Sequence, residues 1–134
     1  MLVLDASTLV AAVLAPEAAR WDRLLRRDPD LVTPFLGRSE AMAVLHEKAR
    51  RREIAPDIAR EKLAALITAP VALKTLQEPE RAWRVADQLG WAKTYDAEYV
   101  ALAQEVGGGL ATLDRSLMRR VGGLVNLVDV SDLV

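Results

Sequence analysis

Leu2-Val3-Leu4-Asp5 near the start and Leu110-Ala111-Thr112-Leu113-Asp114 near the end share one form, a short apolar run closed by an aspartate. Runs this short and without alternation suit strands covered on both faces. Similar but weaker signals predict strands at 31–33, 71–76 and 124–130. Between them, apolar residues recur at helical spacing. Helices are predicted from Ser7 or Thr8 toward Leu14, then over Glu17–Arg27, Leu36–Arg52, Pro56–Ile67, Glu78–Leu89, Thr94–Val106 and Arg115–Val121. Pro16, Gly90 and Gly107-Gly108-Gly109 serve as stops. Strands alternating with helices imply an α/β fold, a three-layer α/β/α sandwich around a central parallel sheet. The chain has 134 residues, no repeat and no Pro/Gly linker, so one domain over 1–134 is expected.

Composition removes several chemistries. There is no Cys, which excludes a disulfide scaffold, Cys-ligated zinc, iron–sulfur clusters and thiol catalysis. The one histidine, His46, lies six residues past Glu40, off its helical face, and reads as a surface or packing residue. Lys and Arg number 18 against 19 Asp and Glu, so nucleic acid can be met only through a local patch. Hydrophobic residues are 51% and aromatics 4%, which leaves the core to Leu, Val and Ala. The start has no basic n-region, and the apolar stretch Leu9–Ala15 is short and ends at Pro16, so a cytoplasmic setting is expected.

In an open parallel sheet the carboxyl ends of the strands share one edge, where sites form. Asp5 and Asp114 end two strands on that edge. Glu40 and Asp96 lie in the first turns of helices that start from it. An acid at a helix start is favoured by the dipole alone, and an aspartate after a strand is often a turn residue. The joint topology of the four is what distinguishes them. Four converging carboxylates must take up protons or bind a cation. Oxygen ligands without His or Cys favour Mg²⁺ or Mn²⁺ held partly through water, and phosphodiester hydrolysis is the natural chemistry.

The same residues resemble the PIN-domain family, especially the compact VapC-type toxin ribonucleases. The likeness rests on Leu2-Val3-Leu4-Asp5-Ala6-Ser7, on Ser39-Glu40, on Thr94-Tyr95-Asp96-Ala97-Glu98-Tyr99-Val100-Ala101-Leu102-Ala103, and on Leu110-Ala111-Thr112-Leu113-Asp114-Arg115-Ser116-Leu117, in family order. It implies a metal-dependent endoribonuclease, the toxin of a toxin–antitoxin pair, with Asp5, Glu40, Asp96 and Asp114 as the catalytic and metal-binding acids. Ser7 and Thr112 match positions where the family keeps a hydroxyl beside the site. Many members carry a further acid where this chain has Leu117, which puts a second ion in question. The likeness also implies an RNA substrate, a homodimer and a small antitoxin that lies over the helices and reaches into the acidic groove. Glu17–Arg27 and Leu36–Arg52 are expected to form that groove, with Trp21, Leu24, Leu25, Met42 and Leu45 as anchors.

Arg115, Arg119 and Arg120, just beyond Asp114, are placed to contact RNA phosphate, whereas Arg50-Arg51-Arg52 reads first as a solvated helix end. Two other functions compete. A non-catalytic PIN-fold domain binding RNA or acting as a scaffold has no need of the four acids. A phosphoacceptor receiver domain wants paired acids after the first strand and a Lys after the last; Asp5 stands alone and no Lys follows Lys93.

Overall fold

The computed structural model describes residues 1–91 and 93–133. Five strands form one parallel sheet: β1 (Leu2–Leu4), β2 (Leu31–Pro34), β3 (Ala72–Lys74), β4 (Gly109–Ala111) and β5 (Asn126–Val128), in the order β3-β2-β1-β4-β5. Around it lie α1 (Ala6–Leu14), α2 (Asp22–Arg27), α3 (Phe35–Arg50), α4 (Pro56–Ile67), α5 (Glu80–Leu89), α6 (Tyr95–Val106) and α7 (Arg115–Val121). Receiver domains order their strands 2-1-3-4-5, so this sheet removes that alternative.

Side chains alternate across β1 and sort the core into two clusters. Leu2 and Leu4 point to one face, where they meet Leu9 and Val13 of α1, Leu24 of α2, Ala41 and Leu45 of α3 and Leu66 of α4. Val3 points to the other, against Val85 of α5, Val100 of α6 and Leu117 and Val121 of α7. The sheet therefore has helices on both sides, as the alternation of elements implied. Leu117 is buried packing, which accounts for an apolar residue at that position.

Three expectations change. The segment 17–27 is not one helix: a 3₁₀ turn covers Glu17–Ala19, and α2 begins only after Trp21. The outer strands β3 and β5 are shorter than the apolar runs 71–76 and 124–130, each pairing over three residues with its one neighbour. Leu24 and Leu45 are fully buried, and Trp21 and Leu25 pack on the same core, so α2 and α3 cover the sheet and do not form an open groove. Met42 alone among the expected anchors is exposed.

Gly37 fixes how closely α3 approaches the sheet. A Cβ there would stand 2.0 Å from Thr33 Oγ1 and 3.3 Å from the Tyr99 ring. That close approach brings Glu40, one turn further along α3, to α6.

Candidate active site

Asp5 leaves β1 and becomes the N-cap of α1. Its Oδ1 accepts from the Thr8 amide at 3.0 Å and from Ser7 Oγ at 2.7 Å. Its Oδ2 accepts from the Thr112 hydroxyl. Ser7 Oγ accepts in turn from the Leu113 amide at 3.0 Å, and Thr112 Oγ1 from the Asp114 amide at 3.0 Å. Thr8 Oγ1 donates to the Ala111 carbonyl at 2.9 Å. Three hydroxyls thus stitch the end of β4 to the end of β1. Burial pushes the Asp5 carboxyl above the usual range even though Thr112, Ser7 and Thr8 all favour the charged form.

Asp114 caps α7, its Oδ1 accepting from the amides of Ser116 at 2.9 Å and Leu117 at 3.2 Å. Among the described residues its Oδ2 takes no hydrogen bond. Glu40 lies in the second turn of α3, and its Oε1 accepts from the Tyr99 hydroxyl of α6. Burial first, then the charge of Glu40, pushes the Tyr99 phenol far above its ordinary value. It therefore stays a donor.

Asp96 is the second residue of α6 and has no hydrogen-bond partner among the described residues. Partial burial raises its carboxyl, and the charges of Glu40, Asp114 and Asp5 raise it further; Arg120 offsets a little. Asp96 is therefore near enough to Glu40, Asp114 and Asp5 to be affected by their charges. As the side chains stand, no three Asp, Glu or His among the described residues close on one point near enough to ligate a bare ion. Glu98, also on α6, is raised by burial and by Glu40.

A cleft of about 490 Å³ opens beside the acids, lined by Glu40, Trp91, Lys93, Tyr95, Asp96 and Arg120. The Arg120 guanidinium lies 5.9 Å from the Trp91 ring centre. Arg115 and Arg119 are exposed on α7 and are not part of this lining. His46 is exposed on the far turns of α3, over α4.

The sequence reading had Arg120 as a phosphate contact beside Arg115 and Arg119, but it missed the Tyr99–Glu40 bond and the contact of Arg120 with Trp91. Tyr99 follows Asp96 by three residues, a same-face spacing that was available as a signal. For Arg120 the only signal was its place one residue beyond Arg119, on a different face of a short helix.

The PIN-domain family model matches residues 2–124. A curated relative, Ribonuclease VapC3 of Pyrobaculum aerophilum, is 36% identical over 129 residues, covering 92% of this chain and 97% of that protein. Among solved structures, PAE2754 from Pyrobaculum aerophilum superposes with a TM-score of 0.73 at 25% identity, over 94% of this chain and 83% of that one. VapC20 of Mycobacterium tuberculosis, described as a toxin that cleaves the sarcin–ricin loop, gives 0.62 at 16% identity, over 96% of this chain and 100% of that one. The last likeness concerns the fold alone. No helix among the described residues is long and apolar enough to cross a membrane.

Proposed function

The chain belongs to the PIN-domain family, and from that premise we propose that it is a metal-dependent endoribonuclease, the toxin of a toxin–antitoxin pair. Asp5, Glu40, Asp96 and Asp114 are its acidic site. The observation that carries this reading is geometric: Asp5 and Asp114 follow the adjacent parallel strands β1 and β4, which Ser7 and Thr112 tie together, and Glu40 and Asp96 line one cleft. A relative named as a ribonuclease at 36% identity over nearly its whole length supports the activity.

The donor set fits a hard divalent ion. It is all oxygen, it crowds like charges, and Asp96 and one oxygen of Asp114 are without protein partners among the described residues. Since no three acids among the described residues close on one point, Asp5, Glu40, Asp96 and Asp114 would hold a hydrated ion, which Mg²⁺ tolerates well. When bound, Mg²⁺ or Mn²⁺ supplies a water of lowered pKa and neutralises phosphate charge. The protein's part is placement. Ser7, Thr8 and Thr112 lock Asp5, the α7 amides lock Asp114, and Tyr99 holds Oε1 of Glu40.

Arg115 and Arg119, exposed beyond Asp114, are proposed as outer contacts to RNA phosphate. The proposal extends to a cytoplasmic, single-domain homodimer neutralised by an antitoxin. Cleavage of RNA that requires Mg²⁺ or Mn²⁺, stops with chelator and disappears in Asp96→Asn tests it. Undiminished cleavage by that variant removes Asp96 from the site, and no cleavage by the native chain in Mg²⁺ or Mn²⁺ leaves the non-catalytic alternative.

A further inference from the structure

Lys93, Tyr95 and Arg120 have no part in holding the acids, yet all three line the cleft that the acids open into. Tyr95 is 54% exposed, beside Asp96 on the first turn of α6. Among the described residues neither Lys93 nor Arg120 forms an ion pair, although Glu40 and Asp96 line the same cleft. Arg120 is steadied by the Trp91 ring, which limits the rotamer freedom it must lose on meeting a ligand. Its donors remain available.

A polyanion approaching four acids is repelled, and it needs fixed cations close by to dock. Sites for single strands combine such cations with an aromatic face on which a base stacks. The cleft offers both, within a volume typical of small-molecule pockets. We infer that it holds the nucleotide next to the scissile bond, with that nucleotide's phosphate between Arg120 and Lys93 and its base on the Tyr95 ring. The inference rests on the ribonuclease reading for its ligand, single-stranded RNA, and adds the subsite that seats it.

The test is fluorescence anisotropy of an end-labelled single-stranded RNA, with Ca²⁺ replacing Mg²⁺ and strand integrity checked on a gel. Loss of one phosphate contact in Arg120→Gln lowers the slope of log affinity against log salt by about 0.7. Tyr95→Ala weakens binding by roughly tenfold with the slope unchanged, and Tyr95→Phe restores it, because stacking needs the ring and not the hydroxyl. Scanning abasic sites along the RNA gives a check that leaves the protein unaltered. At one position the missing base weakens binding to the native chain, and Tyr95→Ala removes that difference.

An unchanged salt slope in Arg120→Gln, or abasic RNA bound as well as intact RNA at every position, overturns the subsite. So does a preference of the cleft for an acidic peptide over RNA. Failure of the ribonuclease reading has a different signature. Cleavage in Mg²⁺ would then be absent while binding still depended on Arg120 and Tyr95.

Discussion

The Tyr99 hydroxyl donates to Oε1 of Glu40 across 59 residues of sequence, tying α6 to α3 at the crevice. The pair explains why a buried tyrosine stands in the midst of an apolar helix face. Its ring completes the core, and its one polar atom reaches an acid that, among the described residues, no backbone amide holds.

Tyr99→Phe keeps the ring and removes the donor. We expect a loss of about 1–2 kcal/mol in stability, since the bond goes to a charged group that water reaches only in part. Activity should fall roughly 10–100-fold, as for other residues that orient a metal-binding group. Because burial and Glu40 hold the phenol far above its usual range, the native Tyr99 signal at 295 nm should stay silent on raising the pH until the chain unfolds. An early tyrosinate signal that vanishes in Tyr99→Phe would contradict the pairing.

Gly37→Ala should destabilise despite alanine's better helix propensity. The added Cβ meets Thr33 Oγ1 at 2.0 Å, and Thr33 is itself held by a bond of 2.8 Å to the Leu4 carbonyl. Overpacking of this kind costs about 1–3 kcal/mol, against roughly 1 kcal/mol gained in propensity. A lower urea midpoint at unchanged m-value, together with reduced RNA cleavage, is the expected pair of results. An unchanged midpoint would show that α3 yields without effort.

How far the sequence revealed the site differs from residue to residue. Asp5 and Asp114 were visible because a buried strand ends sharply, and the first polar residue after it marks the sheet edge. Tyr95 and Tyr99 could not be told apart by periodicity, being four residues apart on one helical face. Only the start of α6 at Tyr95 puts the first over the sheet's rim while the second goes into the core. Leu24 and Met42 show the same limit. Both lie on apolar stripes, yet Leu24 is sealed under α2 and Met42 remains open on α3. Stripe width cannot say which apolar residue the neighbouring helix will cover. Of the arginines, 115 and 119 share a face, and 120 turns to Trp91, an aromatic distant in sequence.

Asp96→Asn should raise the stability of the metal-free chain at neutral pH by about 1–3 °C in Tm. The folded Asp96 and Asp5 carboxyls both lie above their unfolded values, so folding favours their protonated forms. Stability from these groups is fullest below the unfolded value. It falls as pH rises through that value to the raised folded one. Removing Asp96 flattens that fall, and it also shrinks the concentration-dependent rise in Tm that Mg²⁺ produces in the native chain. Asp5→Asn should differ, losing about 1 kcal/mol, because an amide nitrogen cannot accept from Thr112. Equal destabilisation by both variants would mean that Asp96 is structural.

The antitoxin expectation moves with Met42. A groove of about 300 Å³ runs between α3 and α4, lined by Met42, His46, Ala49, Pro56, Arg60 and Leu63. An amphipathic helix seats apolar side chains in such a groove, and the adjacent Arg60 offers a charge for its polar rim. Met42→Glu alters an exposed position, so the fold should survive, with circular dichroism and Tm nearly unchanged. Affinity for the antitoxin should drop at least tenfold, measured by calorimetry on the purified pair. Leu24→Glu buries an unpaired charge in the core under α2 and should instead abolish folding. If Met42→Glu binds the antitoxin as tightly as the native chain, the partner lies elsewhere on the helices and this groove is vacated as its site.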